Sequence, residues 1–211
     1  MMTALIRVEG RPLGLIANNS FHLGGAIDDT AADKAARFIQ LCDAFDLPIL
    51  SLCDTPGFMV GPEAEKTALV RHVSRMYVVG ANVSVPFFTI VLRKAYGLGA
   101  PAMAGGAMSV PFFTTAWPTG EFGGMGIEGA VKLGFRKELA AISDTSERRQ
   151  RFDEMVAVRY EQGKAINVST GFRIDDVIDP ADSRRWVTLA MDVSHGLERH
   201  PAKRRPNIDA W

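Results

Sequence analysis

Arg93-Lys94-Ala95-Tyr96-Gly97-Leu98-Gly99-Ala100-Pro101-Ala102 follows directly on the apolar run Phe87–Leu92, and together the two segments establish the fold class. An apolar run this short, bounded by glycine and proline, is a strand buried on both faces. The glycine-rich turn behind it opens a short helix, whose first backbone N–H groups have no partner inside the helix. Such amides bind an anion or stabilise a developing oxyanion, and glycine lets a ligand approach the backbone. The alternative is a tight turn whose glycines serve only dihedral needs. Either way, a buried strand feeding a helix is the unit of an α/β protein.

Working outward, the same unit recurs. Pro48 stops a helix before a second buried run, Ile49–Cys53, which a Gly/Pro-rich loop at Asp54–Pro62 follows. A helix then carries Leu69, Val73, Met76, Tyr77 and Gly80 on one face. Upstream, Thr3–Val8 and Leu13–Ala17 are strands split by Glu9-Gly10-Arg11-Pro12, a hairpin turn. Asn18–Ala26 is a loop with adjacent Gly24 and Gly25. Thr30 and Asp33 stand at capping-box spacing before Ala35, Phe38, Ile39, Cys42 and Phe45, which repeat at helical intervals.

Downstream come a short Ala/Met segment, a strand at Val110–Trp117 and residues 118–129, too rich in glycine for regular structure. Helices follow at Ala130–Ile142 and from Thr145 to about Lys164, the second with Phe152, Met155, Val156 and Tyr160 inward. The last helix has Asp179 as N-cap, Pro180 at its first position and Trp186, Leu189, Ala190, Val193 and Leu197 as its stripe. Strands alternating with helices imply right-handed crossovers, with ligand chemistry at the carboxyl ends of the strands near Asp54, Arg93 and Trp117.

The chain has 211 residues, with 24 Lys+Arg against 24 Asp+Glu. A neutral balance gives no electrostatic pull toward nucleic acid or an anionic membrane. Hydrophobic residues at 47% and charged residues at 23% are those of a globular domain. A chain this long buries roughly 70% of its unfolded surface, enough for one domain without metals or disulfides. Cys42 and Cys53 sit in apolar segments and are expected to be reduced and buried. No apolar run approaches the roughly 18 residues of a membrane span, and the N-terminus lacks a signal-peptide pattern, so a cytoplasmic protein is expected.

Other motifs carry less. Gly97-Leu98-Gly99-Ala100-Pro101-Ala102 fits the dinucleotide fingerprint, but Pro101 interrupts it and the helix behind is too short; Glu121 is misplaced for the ribose acid. Asp54-Thr55-Pro56-Gly57 imitates a GTPase motif without any P-loop, so Asp54 is expected to cap or hydrogen-bond its own loop. There is no Gly-x-Ser-x-Gly elbow. His22, His72, His195 and His200 have no metal-ligand spacing, and no metal is expected. Gly123-Gly124-Met125-Gly126 and Glu128-Gly129-Ala130 either line a pocket beside the first glycine loop or pack on the core. Lys203-Arg204-Arg205 is a solvated tail, or docks on a partner with Ile208 and Trp211.

Six blocks in order give a resemblance: Gly10–Asn18, Asp33–Ile39, Asp54–Phe58, Arg93–Gly97, Ala116–Thr119 and Met125–Ala130. They look like the C-terminal half of biotin-dependent carboxyltransferases, the β subunits of propionyl-CoA and acetyl-CoA carboxylases and their decarboxylase relatives. The resemblance runs from about Gly10 to the Arg-Pro-Asn-Ile ending.

It implies a crotonase-like (ClpP/crotonase) α/β spiral of ββα units over residues 1–211, as a single C-terminal carboxyltransferase domain without the family's N-terminal, CoA-binding half. It implies transfer of a carboxyl group between carboxybiotin, carried on a partner, and the α-carbon of an acyl-CoA. The implied partners are an N-terminal carboxyltransferase domain, a biotin carboxylase/biotin carrier subunit and further copies in a homo-oligomer. In such a site Gly99 and Ala100 supply the oxyanion-hole amides, with Leu98 as a one-residue insertion. If the insertion lies elsewhere, the pair is Leu98 and Gly99. Tyr96, Gly97, Leu98, Pro101, Gly24 and Gly25 are the implied substrate-binding residues. A stand-alone acyl-CoA decarboxylase, another acyl-CoA enzyme or a non-catalytic assembly domain are the alternatives.

Overall fold

The computed structural model describes residues 1–194. The elements run β1 (Met2–Val8), β2 (Arg11–Ala17), α1 (Asp29–Ala44), β3 (Ile49–Thr55), α2 (Pro62–Lys66), α3 (Leu69–Gly80), β4 (Phe87–Tyr96), α4 (Gly99–Met103) and β5 (Phe113–Ala116). Then come β6 (Glu121–Gly123), α5 (Ile127–Gly134), α6 (Arg136–Ala141), α7 (Thr145–Gly163), α8 (Ala165–Ser169), β7 (Asp176–Val177) and α9 (Ser183–Ser194). One sheet has the order β1-β2-β3-β4-β5-β7, with β6 also paired to β4. The β1–β2 hairpin is antiparallel; among the described residues every other pairing between these strands is parallel.

Alternation along the central strands splits their apolar residues between two cores. Ile49, Cys53, Phe87 and Val91 face α1 and α3, burying Ala35, Ile39, Val73 and Met76. Leu50, Phe88, Ile90 and Phe113 face the opposite layer, against Val187, Ala190 and Met191 of α9. Burial on both sides is why the first parts of β3 and β4, Ile49–Cys53 and Phe87–Leu92, are apolar in the sequence apart from Ser51 and Thr89. A smaller core of Val131, Leu139 and Met155 holds α5, α6 and α7 together, with Phe135, Phe152 and Val156 at its edge. Cys42 and Cys53 are free and buried, and burial pushes both thiols up to about 12. Among the described residues, no helix is long and apolar enough to cross a membrane.

Several elements differ from the expectation. The hairpin turn is only Glu9-Gly10, both at positive φ; Arg11 and Pro12 belong to β2, where Pro12 sits opposite Arg7. α1 is capped by Asp28, whose side chain accepts from the Ala31 N–H at 2.7 Å, so Thr30 lies inside the helix. β4 continues through Arg93–Tyr96 because Thr55 and then β6 supply partners on either side. Residues 121–123 are therefore strand, inside the glycine-rich stretch 118–129. β5 is confined to Phe113–Ala116.

The helix expected over Ala130–Ile142 breaks at Phe135, whose φ of −108° and ψ of 21° leave the helical region. In α9 the buried stripe is Val187, Ala190, Met191 and Ser194, and Leu189 and Val193 are exposed. The sheet meets the helix one residue later than a stripe counted from Trp186. Leu197, His195, His200 and the Lys203–Trp211 tail lie outside the described residues.

Candidate active site

Four loops meet where β2, β3, β4 and β6 end or begin. The 18–28 loop and the 55–59 loop join through Ile27 N–H to Gly57 O and Met59 N–H to Ile27 O, at 3.0 and 2.9 Å. Gly97 N–H donates to Gly123 O at 2.9 Å, so the second glycine loop abuts the first. Gly25 is buried at φ +92°, and a Cβ there would run into the Asp54 carbonyl oxygen.

The turn after β4 sits between these loops. Its Gly97 has φ +58°, and Leu98 follows with its side chain exposed. The Leu98 carbonyl accepts from the Tyr77 hydroxyl at 2.5 Å and from the Ala102 N–H at 3.2 Å, which closes the first turn of α4. Gly99 and Ala100 are buried. Among the described residues, neither of their N–H groups finds an acceptor. The Leu98 N–H has none either, so both alternative amide pairs remain free. Buried amides without partners are rare in folded proteins, and at a helix start they suit a ligand oxygen.

Tyr96 presents its backbone to this turn, while its ring packs on β6 and its hydroxyl donates to Glu121 at 2.9 Å. Burial and that hydrogen bond push its phenol well above the usual 10.0. The unfolded chain ionises near pH 10 while the native chain keeps the proton, so this stabilisation is complete below pH 10 and is lost as pH rises further. Tyr96→Phe is expected to cost about 1 kcal/mol at neutral pH and to make the alkaline decline of stability shallower. Urea midpoints measured between pH 7 and the alkaline limit check this; parallel declines would contradict it.

Asp54 does not hydrogen-bond its own loop. Thr55 does so instead, its hydroxyl accepting from Gly57 N–H at 3.1 Å. Asp54 reaches across to β4 and receives Arg93 Nη2 at 3.0 Å and the Lys94 N–H at 3.1 Å. Burial raises its carboxyl, but the bonds from Arg93 and Lys94 outweigh that and leave it below the ordinary carboxylate value. The sequence offered one clue to this pair: opposite charges end neighbouring parallel strands. His22 is exposed and meets Asp28 at 3.1 Å; His72 meets Asp33 at 2.8 Å between α1 and α3. Among the described residues no cluster of His, Cys, Asp or Glu could hold a metal ion.

A family described as "Carboxyl transferase domain" matches residues 1–208. The chain belongs to that family. The carboxyl transferase domain is 38% identical to the methylmalonyl-CoA carboxyltransferase 12S subunit of Propionibacterium freudenreichii over 99% of this chain and 39% of the relative. It is 34% identical to the methylmalonyl-CoA decarboxylase subunit alpha of Propionigenium modestum, covering 99% of this chain and 40% of that one.

Among solved structures, transcarboxylase 12S with methylmalonyl-CoA bound superposes with a TM-score of 0.86 at 35% identity, over 99% of this chain and 40% of the other. A single-chain, multi-domain long-chain acyl-CoA carboxylase shares 59% identity at a TM-score of 0.80, over 89% of this chain and 18% of that chain. The fold of this carboxyl transferase domain is therefore the crotonase-like α/β fold. The chain spans about two fifths of the length of the curated relatives it matches.

Proposed function

We propose that this chain is the biotin-facing half of a carboxyltransferase site in a biotin-dependent acyl-CoA carboxylase. The free, buried amides of Gly99 and Ala100 carry the proposal. Carboxybiotin, held on a partner carrier, supplies the carboxyl group and a ureido oxygen that gains negative charge as the group departs. Two fixed backbone donors suit that oxygen, because they are stronger where charge develops and need no reorganisation. Such chemistry needs no nucleophilic side chain.

Gly97, Leu98 and Pro101 shape the wall around those amides, and Tyr96 fixes it from behind through Glu121. Gly24 and Gly25 are assigned to substrate binding as well; Lys94 Nζ and Asn18 Nδ2 donate to their carbonyls at 3.2 and 3.3 Å. The acyl-CoA α-carbon would meet the carboxyl group opposite them, on a surface supplied by an N-terminal carboxyltransferase domain of another subunit. A homo-oligomer with a biotin carboxylase and carrier partner is the assembly this implies. The oligomer has support from one solved neighbour, whose description speaks of hexamer assembly and substrate binding to a multienzyme core.

Reconstitution tests the proposal. The chain alone is expected to transfer negligible carboxyl from malonyl-CoA or methylmalonyl-CoA to free biotin, and to gain activity when the N-terminal half is added. No gain with a folded N-terminal half refutes the half-site; turnover of acyl-CoA by the chain alone makes it a self-sufficient enzyme instead.

A further inference from the structure

β3 and β4 pair in parallel register up to Cys53↔Val91, and pairing resumes at Thr55↔Ala95. Asp54 alone therefore faces Leu92, Arg93 and Lys94. A bulge of this kind leaves ladder groups without strand partners and redirects the chain that follows. Here that chain is Tyr96-Gly97-Leu98-Gly99-Ala100, which carries the free amides.

Side chains of two consecutive β3 residues take up the bulge. Asp54 Oδ1 accepts from the Lys94 N–H at 3.1 Å, and Cys53 Sγ donates to the Lys94 carbonyl at 3.7 Å. The same carboxylate accepts from Arg93 Nε at 3.3 Å, Arg93 Nη2 at 3.0 Å and Ser20 Oγ at 3.4 Å. The Asp54 N–H donates to Asn18 Oδ1 at 3.0 Å, and Asn18 Nδ2 donates to Gly25 O at 3.3 Å. Lys94 Nζ completes the circuit on Gly24 O at 3.2 Å. One residue thus ties the ends of β3 and β4 to the 18–25 loop. Its side chain is only 12% exposed, so these charge-assisted bonds are little screened at the Asp54 end, although Arg93 is half in solvent.

We infer that Asp54 is a positioning residue of this site, its carboxylate fixing the β4 bulge so that the Gly99 and Ala100 amides and the Gly24–Gly25 backbone share one geometry. The kinetic arm of the test rests on the proposed function; the structural arm does not.

Asp54→Ala and Asp54→Asn in the assembled carboxyltransferase, with Arg149→Ala on the exposed face of α7 as control, provide the test. Hydrogen exchange followed by mass spectrometry reads the backbone directly. Peptides covering 93–103 and 18–26 are expected to exchange about tenfold faster in Asp54→Ala, and less so in Asp54→Asn, which keeps one acceptor. Peptides of α1 and α9 stay unchanged.

The kcat falls in the same rank order while KM for the acyl-CoA stays within about twofold, the split expected when reacting groups lose position but binding survives. Unchanged exchange at 93–103, or an equal rise throughout the chain, overturns the inference. A wild-type assembly without carboxyl transfer overturns the proposed function while the exchange comparison still decides the role of Asp54. Should Asp54→Ala fail to fold, Arg93→Gln removes two of the carboxylate's bonds from a half-exposed partner and is read by the same exchange measurement.

Discussion

Replacing Gly99 with alanine is expected to lower carboxyl transfer by roughly 10²–10³-fold, the usual cost of losing one oxyanion donor. Helix propensity alone argues the other way, because alanine in place of glycine favours a helix by about 1 kcal/mol. The surroundings of Gly99 decide the sign. An added Cβ would lie 2.9 Å from both the Cα and the carbonyl carbon of Gly57, and 3.3 Å from the Phe58 nitrogen. All three are backbone atoms, so no side chain can swing aside. Either the 57–58 loop or the start of α4 must move.

Both carry the site. Gly57 O anchors Ile27 and with it the 18–28 loop, while the start of α4 holds the free amides. A shift of a few tenths of an ångström spoils alignment with a charge that develops at one point in space. Ala100→Gly, which keeps its N–H but removes a buried methyl from the core, is expected to retain most of the rate. Turnover of the reconstituted enzyme, with circular dichroism as a check on folding, measures both. Gly99→Ala activity within about twofold of wild type would remove these amides from the mechanism.

The central architecture was legible because its strands are buried twice. Ile49–Cys53 and Phe87–Leu92 show no alternation to misread, and Pro48 and the glycine turns mark their limits. What stayed hidden was pairing that depends on distant partners. Arg93-Lys94-Ala95-Tyr96 has the look of a loop, yet β6 and Thr55 hold it as strand. β6 itself is a short strand among glycines, held by β4 on one side and by a bridge from Glu121 to Lys164. The same holds at the site. Glycine content announced the free amides after β4, but the Asp54–Arg93 pair depends on a register offset that no local pattern records.

The α9 stripe failed for a related reason. Trp186, Leu189, Ala190 and Val193 and the observed Val187, Ala190, Met191 and Ser194 are both sound helical faces, rotated by less than a turn. Only the sheet beneath selects between them. Trp186 is drawn in at the edge because its ring meets Phe113 at 5.5 Å.

That choice leads to the largest stability effect expected in the chain. Phe88→Ala should destabilise the fold by about 3–5 kcal/mol, a large share of the 5–15 kcal/mol typical of a domain. Phe88 is 0% exposed, stacks on Phe113 with ring centroids 5.4 Å apart, and meets the edge of Phe112 at 6.1 Å. Its neighbours sit on β3, on β5 and the residue before it, and in the cluster with α9, whose backbones are fixed by parallel ladders and by the helix, so the space left by the ring cannot close. At roughly 2–4 °C per kcal/mol the melting temperature should fall by about 6–20 °C.

Leu189→Ala, also on α9 but 52% exposed, should stay within about 0.5 kcal/mol of wild type. Calorimetry of the two variants side by side decides which face of α9 the sheet covers. Equal losses would mean that the helix docks through the stripe counted from Trp186. A loss confined to Phe88→Ala places the anchoring contact on Val187, Ala190 and Met191. Residual activity of Phe88→Ala below its melting point should stay close to wild type, because the free amides lie past the far end of β4 and are held by Asp54, Gly57 and Gly123 rather than by the aromatic layer.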